Sequence, residues 1–161
     1  MRLKVAMAAI VAAVLAPGAL AGADPVAPAP GSPCAGNLAD ALTQLSDGST
    51  FLVCHAAPDG YRWTRFDGPY PSSDRWFSYG PAVRLHGQGL RNPEILSGHW
   101  TATPQDASST CSAEQAAVVS AGEVGAPQVS TGQPGQALDF EVLPVVFSIS
   151  LTGNCLWERV G

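Results

Sequence analysis

The C-terminal quarter of the chain alternates apolar and polar side chains with a period of two, a pattern that admits little besides β-strands. Leu138, Phe140 and Val142 alternate with Asp139 and Glu141; beyond Pro144, Val145, Phe147, Ile149 and Leu151 alternate with Val146, Ser148, Ser150 and Thr152. Successive side chains of a strand point to opposite faces, so each run predicts a half-buried strand. Cys155 to Val160 predicts another, folding back across Thr152-Gly153-Asn154. A two-residue turn there would set Glu158 against Ile149 and bury a carboxylate. A three-residue loop sets Cys155 opposite Leu151 and Trp157 opposite Ile149, so that hairpin is expected, with Cys155 and Trp157 in the core.

The other end of the chain reads as an export signal. Arg2 and Lys4 precede an apolar stretch from Val5 to Ala16, and Ala21-Gly22-Ala23 supplies small residues for cleavage after Ala23. Twelve apolar residues fall short of the roughly 20 that span a bilayer, so no membrane span is expected. Residues 24–33, with four prolines, read as an extended linker, and 34–161 as one domain. Beyond the signal the chain has six arginines, no lysine and thirteen carboxylates, a formal charge of −7. That balance argues against nucleic acid as a partner. Cys34, Cys54, Cys111 and Cys155 all lie in the exported part, which implies two disulfides. Of three possible pairings, sequence-local closure favours Cys34 with Cys54 and Cys111 with Cys155.

Between these ends, Leu38, Leu42 and Leu45 fall at i, i+4 and i+7 and predict a short N-terminal helix over 37–45 with Asn37 as its cap. Short strands are expected at 50–56, 61–66, 75–79, 82–86, 97–103 and 128–130, and less distinctly after Cys111, which together describe an all-β, mainly antiparallel domain. A two-sheet β-sandwich is the architecture that best accommodates them.

Most of the aromatic residues crowd into 50–80, interleaved with Arg62, Arg65 and Arg75. Pro58-Asp59-Gly60 suits a three-residue hairpin loop, which would place Ala57 opposite Tyr61, His55 opposite Trp63, Val53 opposite Arg65, Cys54 opposite Thr64 and Leu52 opposite Phe66. One face would then carry Leu52, Cys54 and Phe66, and the other His55, Tyr61, Trp63 and Arg65. That second face either packs beneath the following DRWFSYG segment or remains open as a binding surface. The candidate ligand-binding set is His55, Tyr61, Trp63 and Arg65, joined by Trp76 and Tyr79.

The signal region, the absence of lysine and the ending NCLWERVG resemble those of small exported proteins of high-GC actinobacteria, including mycobacterial types. The segments Ile95-Leu96-Ser97-Gly98-His99-Trp100, Cys111 and Gly153-Asn154-Cys155-Leu156-Trp157 are similar to a small disulfide-containing β domain of that group, over residues 95–161. The resemblance implies an exported β fold and supplies no reaction.

Catalytic chemistry finds little footing. No G-x-S-x-G elbow occurs, paired cysteines leave no thiolate, and the exported part has no amine nucleophile in a lysine. Asp139 and Glu141 share a strand face, yet alternating acids on such a face are ordinarily solvated. No metal-ligand spacing is present, and Gly87-Gln88-Gly89 lacks the strand-to-helix setting of a nucleotide loop, so neither metal nor cofactor is expected. The sequence therefore points to a non-catalytic binding protein for a glycan, peptide or extracellular protein. A hydrolase-inhibitor-like protein acting through the loop 69–74, and an enzyme of unrecognised type, are the alternatives.

Overall fold

A computed structural model describes residues 25–161, so the expected signal and its cleavage point lie outside the described residues. The alternating segments become eleven strands: β1 (Pro33–Cys34), β2 (Leu42–Gln44), β3 (Phe51–Ala57), β4 (Gly60–Arg65), β5 (Arg75–His86), β6 (Gly98–Pro104), β7 (Ser112–Ser120), β8 (Glu123–Val124), β9 (Gln128–Thr131), β10 (Leu138–Val142) and β11 (Val146–Arg159). They form one hydrogen-bonded network, ordered β1-β4-β3-β2-β5-β11-β6-β10, with β7 also paired to β11 and carrying β8 and β9. All pairs are antiparallel except β2 with β5. The all-β class stands, as one mixed sheet in place of two separately bonded ones.

The hairpin expected at 152–154 is absent. β11 runs straight through it for 14 residues, with β5 along one side. On its other side β7 covers the first half and β6 the second. Gly153 permits the passage: its φ is +100°, and a β-carbon there would run into the Thr110 carbonyl oxygen. Cys155 and Trp157 are nevertheless core residues. β5 is likewise continuous where two strands were expected, because Pro81 and Ala82 together lie opposite Thr152 as a bulge. A second bulge places Phe147 as an extra residue of β11 against β7. It reverses the expected alternation, so Val146 is buried while Val145 and Phe147 are exposed.

No helix forms over 37–45. A single 3₁₀ turn at Gly36–Leu38 is followed by β2, and Asp40 between them takes a left-handed backbone (φ 61°) that ends any helical run. The segment gains more from β3: Asp40 N–H donates to the Cys54 carbonyl, Cys54 N–H to Ala41, and Leu42 pairs with Val53. The three leucines still point inward, towards two different clusters.

These clusters occupy opposite faces of β5 and β11. Trp76, Val83, Leu85, Ile149, Leu151, Cys155 and Trp157 face one way, against Trp100, Phe140 and Val142. Phe77, Tyr79 and Leu156 face the other, beneath Leu38, Ala41, Leu52, Cys54 and Trp63. The Cys34–Cys54 disulfide borders the second cluster, and Cys111–Cys155 sits inside the first. Two buried glutamines complete strand edges with their side chains. Gln115 donates to the Glu141 carbonyl (2.8 Å) and accepts Leu143 N–H (3.0 Å), tying β7 to the end of β10. Gln44 donates to the Gly48 carbonyl and accepts Arg84 N–H at 2.9 Å, tying the β2–β3 turn to β5.

The Pro-rich segment is held along β4: Gly31 N–H donates to the Trp63 carbonyl, Trp63 N–H to Ser32, and Arg62 to the Gly31 carbonyl. Among the described residues no helix is long and apolar enough to cross a membrane.

Candidate ligand-binding groove

The geometry of the aromatic stretch follows from one residue of register. Only Pro58 and Asp59 lie between Ala57 and Gly60, which pair directly, so Cys54 is opposite Trp63, Leu52 opposite Arg65, Val53 opposite Thr64 and His55 opposite Arg62. A slip of one residue exchanges the faces of a strand. Trp63 therefore joins Leu52 and Cys54 on the buried side, in place of the expected partnership with His55. Asp59 accepts both guanidinium arms of Arg62, which lowers the carboxyl's pKa from its ordinary value and braces the tight turn.

The six candidate residues consequently separate. Trp63 is buried and stacked on Phe77, with ring centroids 5.7 Å apart. Trp76 is fully buried, meets Phe51 edge-on, and donates its indole N–H to the Ser73 carbonyl at 3.1 Å. Tyr79 is buried beside Phe77, and burial pushes its phenol pKa up. These three are architectural. His55 is exposed, with Nδ1 3.5 Å from Asp40, on the face opposite Trp63. Tyr61 is 37% exposed and lies over Gly36, at the end of β4 away from Arg65.

Arg65 has different company. After β4 the chain folds back through Asp67-Gly68-Pro69, with Gly68 pressed on the Phe66 ring so closely that a β-carbon would collide with it. This leaves a groove of about 270 Å³ between the loop and the start of β3, lined by Phe51, Arg65, Phe66, Pro69, Tyr70 and Pro71 among others. Phe51 and Phe66 are half-buried floor, and Tyr70 is 41% exposed. Among the described residues no carboxylate lies within 4 Å of the Arg65 guanidinium. The register sets Arg65 beside Leu52, on the face opposite Phe51 and Phe66, so the groove offers an aromatic floor with Arg65 at its border, a lining that suits a ligand flat or apolar on one side.

Phe51, Phe66 and Tyr70 are absent from the expected set, and Phe66 was assigned to the core side. The two-residue Pro58-Asp59 turn is the signal that would have brought Phe51 and Phe66 together. Phe66 N–H donates to the Phe51 carbonyl, continuing that register.

The loop 69–74 is braced by hydrogen bonds and by no disulfide: Ser73 N–H donates to Glu94, and Ser73 Oγ is shared with Arg75. The other groups considered for chemistry lie apart. His55, His86 and His99 are on β3, β5 and β6. Asp139 accepts the Thr101 hydroxyl at 2.6 Å, and Glu141 pairs across strands with His99. Among the described residues no three of His, Cys, Asp and Glu gather as a metal site, and all four cysteines are disulfide-bonded. Comparisons with protein-family models, curated proteins and solved structures find no match to this chain.

Proposed function

We propose that the chain is an extracytoplasmic, non-catalytic binding protein, exported by its first 23 residues and cleaved after Ala23, which takes a glycan or peptide segment in the groove between Arg65 and Tyr70. Membership of the exported actinobacterial β-domain group belongs to the same proposal. The observation that carries the binding role is the groove's aromatic lining of Phe51, Phe66 and the exposed Tyr70, with Arg65 at its border and no carboxylate within 4 Å of that cation among the described residues. Two disulfides support an oxidising compartment. The shared ligand chemistry is a flat or apolar face for Tyr70 and the phenylalanines and an acidic group for Arg65, as in a uronate-bearing glycan or an acidic aromatic peptide.

The test is calorimetric titration of the protein with a panel of uronate-containing oligosaccharides and of acidic aromatic peptides, which separates the two sources. Tyr70→Ala and Arg65→Gln are expected to weaken the binding found by about three- to tenfold each, the range for one aromatic or cation–π contact. Both residues are exposed, so thermal stability should hold. Affinity unchanged in both variants, or no binding by either panel, would overturn the proposal.

A further inference from the structure

The second face of the central sheet is covered over only part of its length. Phe77, Tyr79 and Leu156 lie under β2–β4, but past the Pro81–Ala82 bulge the same face continues in the open, carrying Ala82, Arg84 and His86 of β5. Strand pairing sets Arg84 beside Ser150 and Ser150 beside Glu114, and sets Thr152 beside Ser112. The middle side chain of the first row is short, so the row forms a depression of about 260 Å³ with Arg84 and Glu114 as opposite walls and Ser150, Thr152 and Ser112 as its floor. Ala82 and Arg84 also line a neighbouring groove of about 520 Å³ bounded by the β2–β3 turn.

The charges of this depression are not neutralised within the fold. No ion pair within 4 Å involves Arg84 or Glu114 among the described residues. The neighbouring groups are already engaged: Asp47 accepts Ser49 N–H, Thr50 N–H and the Thr50 hydroxyl, and His86 stands 3.1 Å from Glu94. The strand beneath Arg84 is fixed by Gln44. A guanidinium and a carboxylate whose backbones are two strand spacings apart, roughly 10 Å, over a hydroxyl floor match a molecule with opposite charges at its two ends. Three extended residues span at most roughly 10 Å.

We propose that this face binds a short zwitterionic peptide of about three residues, its terminal carboxylate on Arg84, its ammonium on Glu114 and its backbone amides over the hydroxyls of Ser150, Thr152 and Ser112. The site is separate from the aromatic groove, on the other side of the β2–β3 turn, and stands or falls independently of it.

The probe is tri-alanine, followed by amide chemical shifts of the isotope-labelled protein. Saturable shifts at Arg84, Ser150 and Glu114 are expected with a dissociation constant on the order of 1 mM, as befits solvent-exposed charge contacts. Acetylating the peptide's amine, amidating its carboxylate, Arg84→Gln and Glu114→Gln should each weaken binding about fivefold, and Tyr70→Ala should leave it unchanged. The amide spectrum itself reports whether each variant is folded. Equal binding of the doubly blocked peptide, shifts confined to other residues, insensitivity to both substitutions, or no saturable shift at tens of millimolar (about 30 mM, well above that constant) would overturn the proposal.

Discussion

Gly153 is a position where no other residue fits. Its φ of +100° is hostile to any side chain, the Thr110 carbonyl occupies the place of a β-carbon, and the Cys155 sulfur would lie 3.0 Å away. Gly153→Ala is expected to cost about 2–4 kcal/mol in chemical denaturation, through strain that also disturbs the Cys111–Cys155 bond. Gln115 is comparably constrained for a different reason. Truncating it to alanine strands the Glu141 carbonyl and the Leu143 N–H, and a loss of about 2–4 kcal/mol is expected by the same measurement. Two aspartates give the stability a pH dependence. Hydrogen bonds from the Thr50 hydroxyl and then the Ser49 and Thr50 amides hold Asp47 down at about 2, and those from Ser108, Ser109 and Asn154 depress Asp106 further. Both folded-state values lie below the ordinary carboxylate value, so their contribution is complete above about pH 4 and is lost as pH falls towards and below 2. Melting temperatures measured between pH 5 and 2 should decline, and Asp47→Asn with Asp106→Asn should flatten that decline.

At the scale of elements, the two disulfides brace different parts. Cys34–Cys54 closes 20 residues at the margin of the N-terminal layer, and Cys111–Cys155 closes 44 and is fully buried. The chain-entropy model gives about 3 and about 4 kcal/mol. Replacing Cys111 and Cys155 by alanine also opens a buried site, so it should lower the urea midpoint more than replacing Cys34 and Cys54. A larger effect of the latter pair would contradict this division. Strand identity was legible wherever alternation ran unbroken, as at Leu138 to Val142. It failed at irregularities that neighbours impose: the Phe147 bulge against β7, the Pro81–Ala82 bulge opposite Thr152, and β2, where pairing with Val53 overrides a helical spacing of leucines. The passage of β11 through Thr152-Gly153-Asn154 was illegible for the same reason. A glycine and an asparagine read as a turn until β5 is known to run alongside.

For the whole molecule, the aromatic stretch divides into buried and exposed members that composition alone did not separate. Trp63, Trp76, Phe77 and Tyr79 fill both faces of the sheet, while Arg65 and Tyr70 remain outside. Arg65 was legible as a candidate because an arginine among aromatics stands out. Tyr70 was not, since its place depends on a loop folding back over Phe66. The division predicts that all four tryptophans, Trp63, Trp76, Trp100 and Trp157, are hidden, at 3%, 0%, 1% and 0% exposure. Acrylamide quenching of tryptophan fluorescence in the native protein tests this most directly. Blue-shifted emission almost unaffected by acrylamide is expected, with quenching appearing only on unfolding. A red-shifted, readily quenched component amounting to about a quarter of the native emission, one tryptophan of the four, would place an indole on the surface and contradict the account.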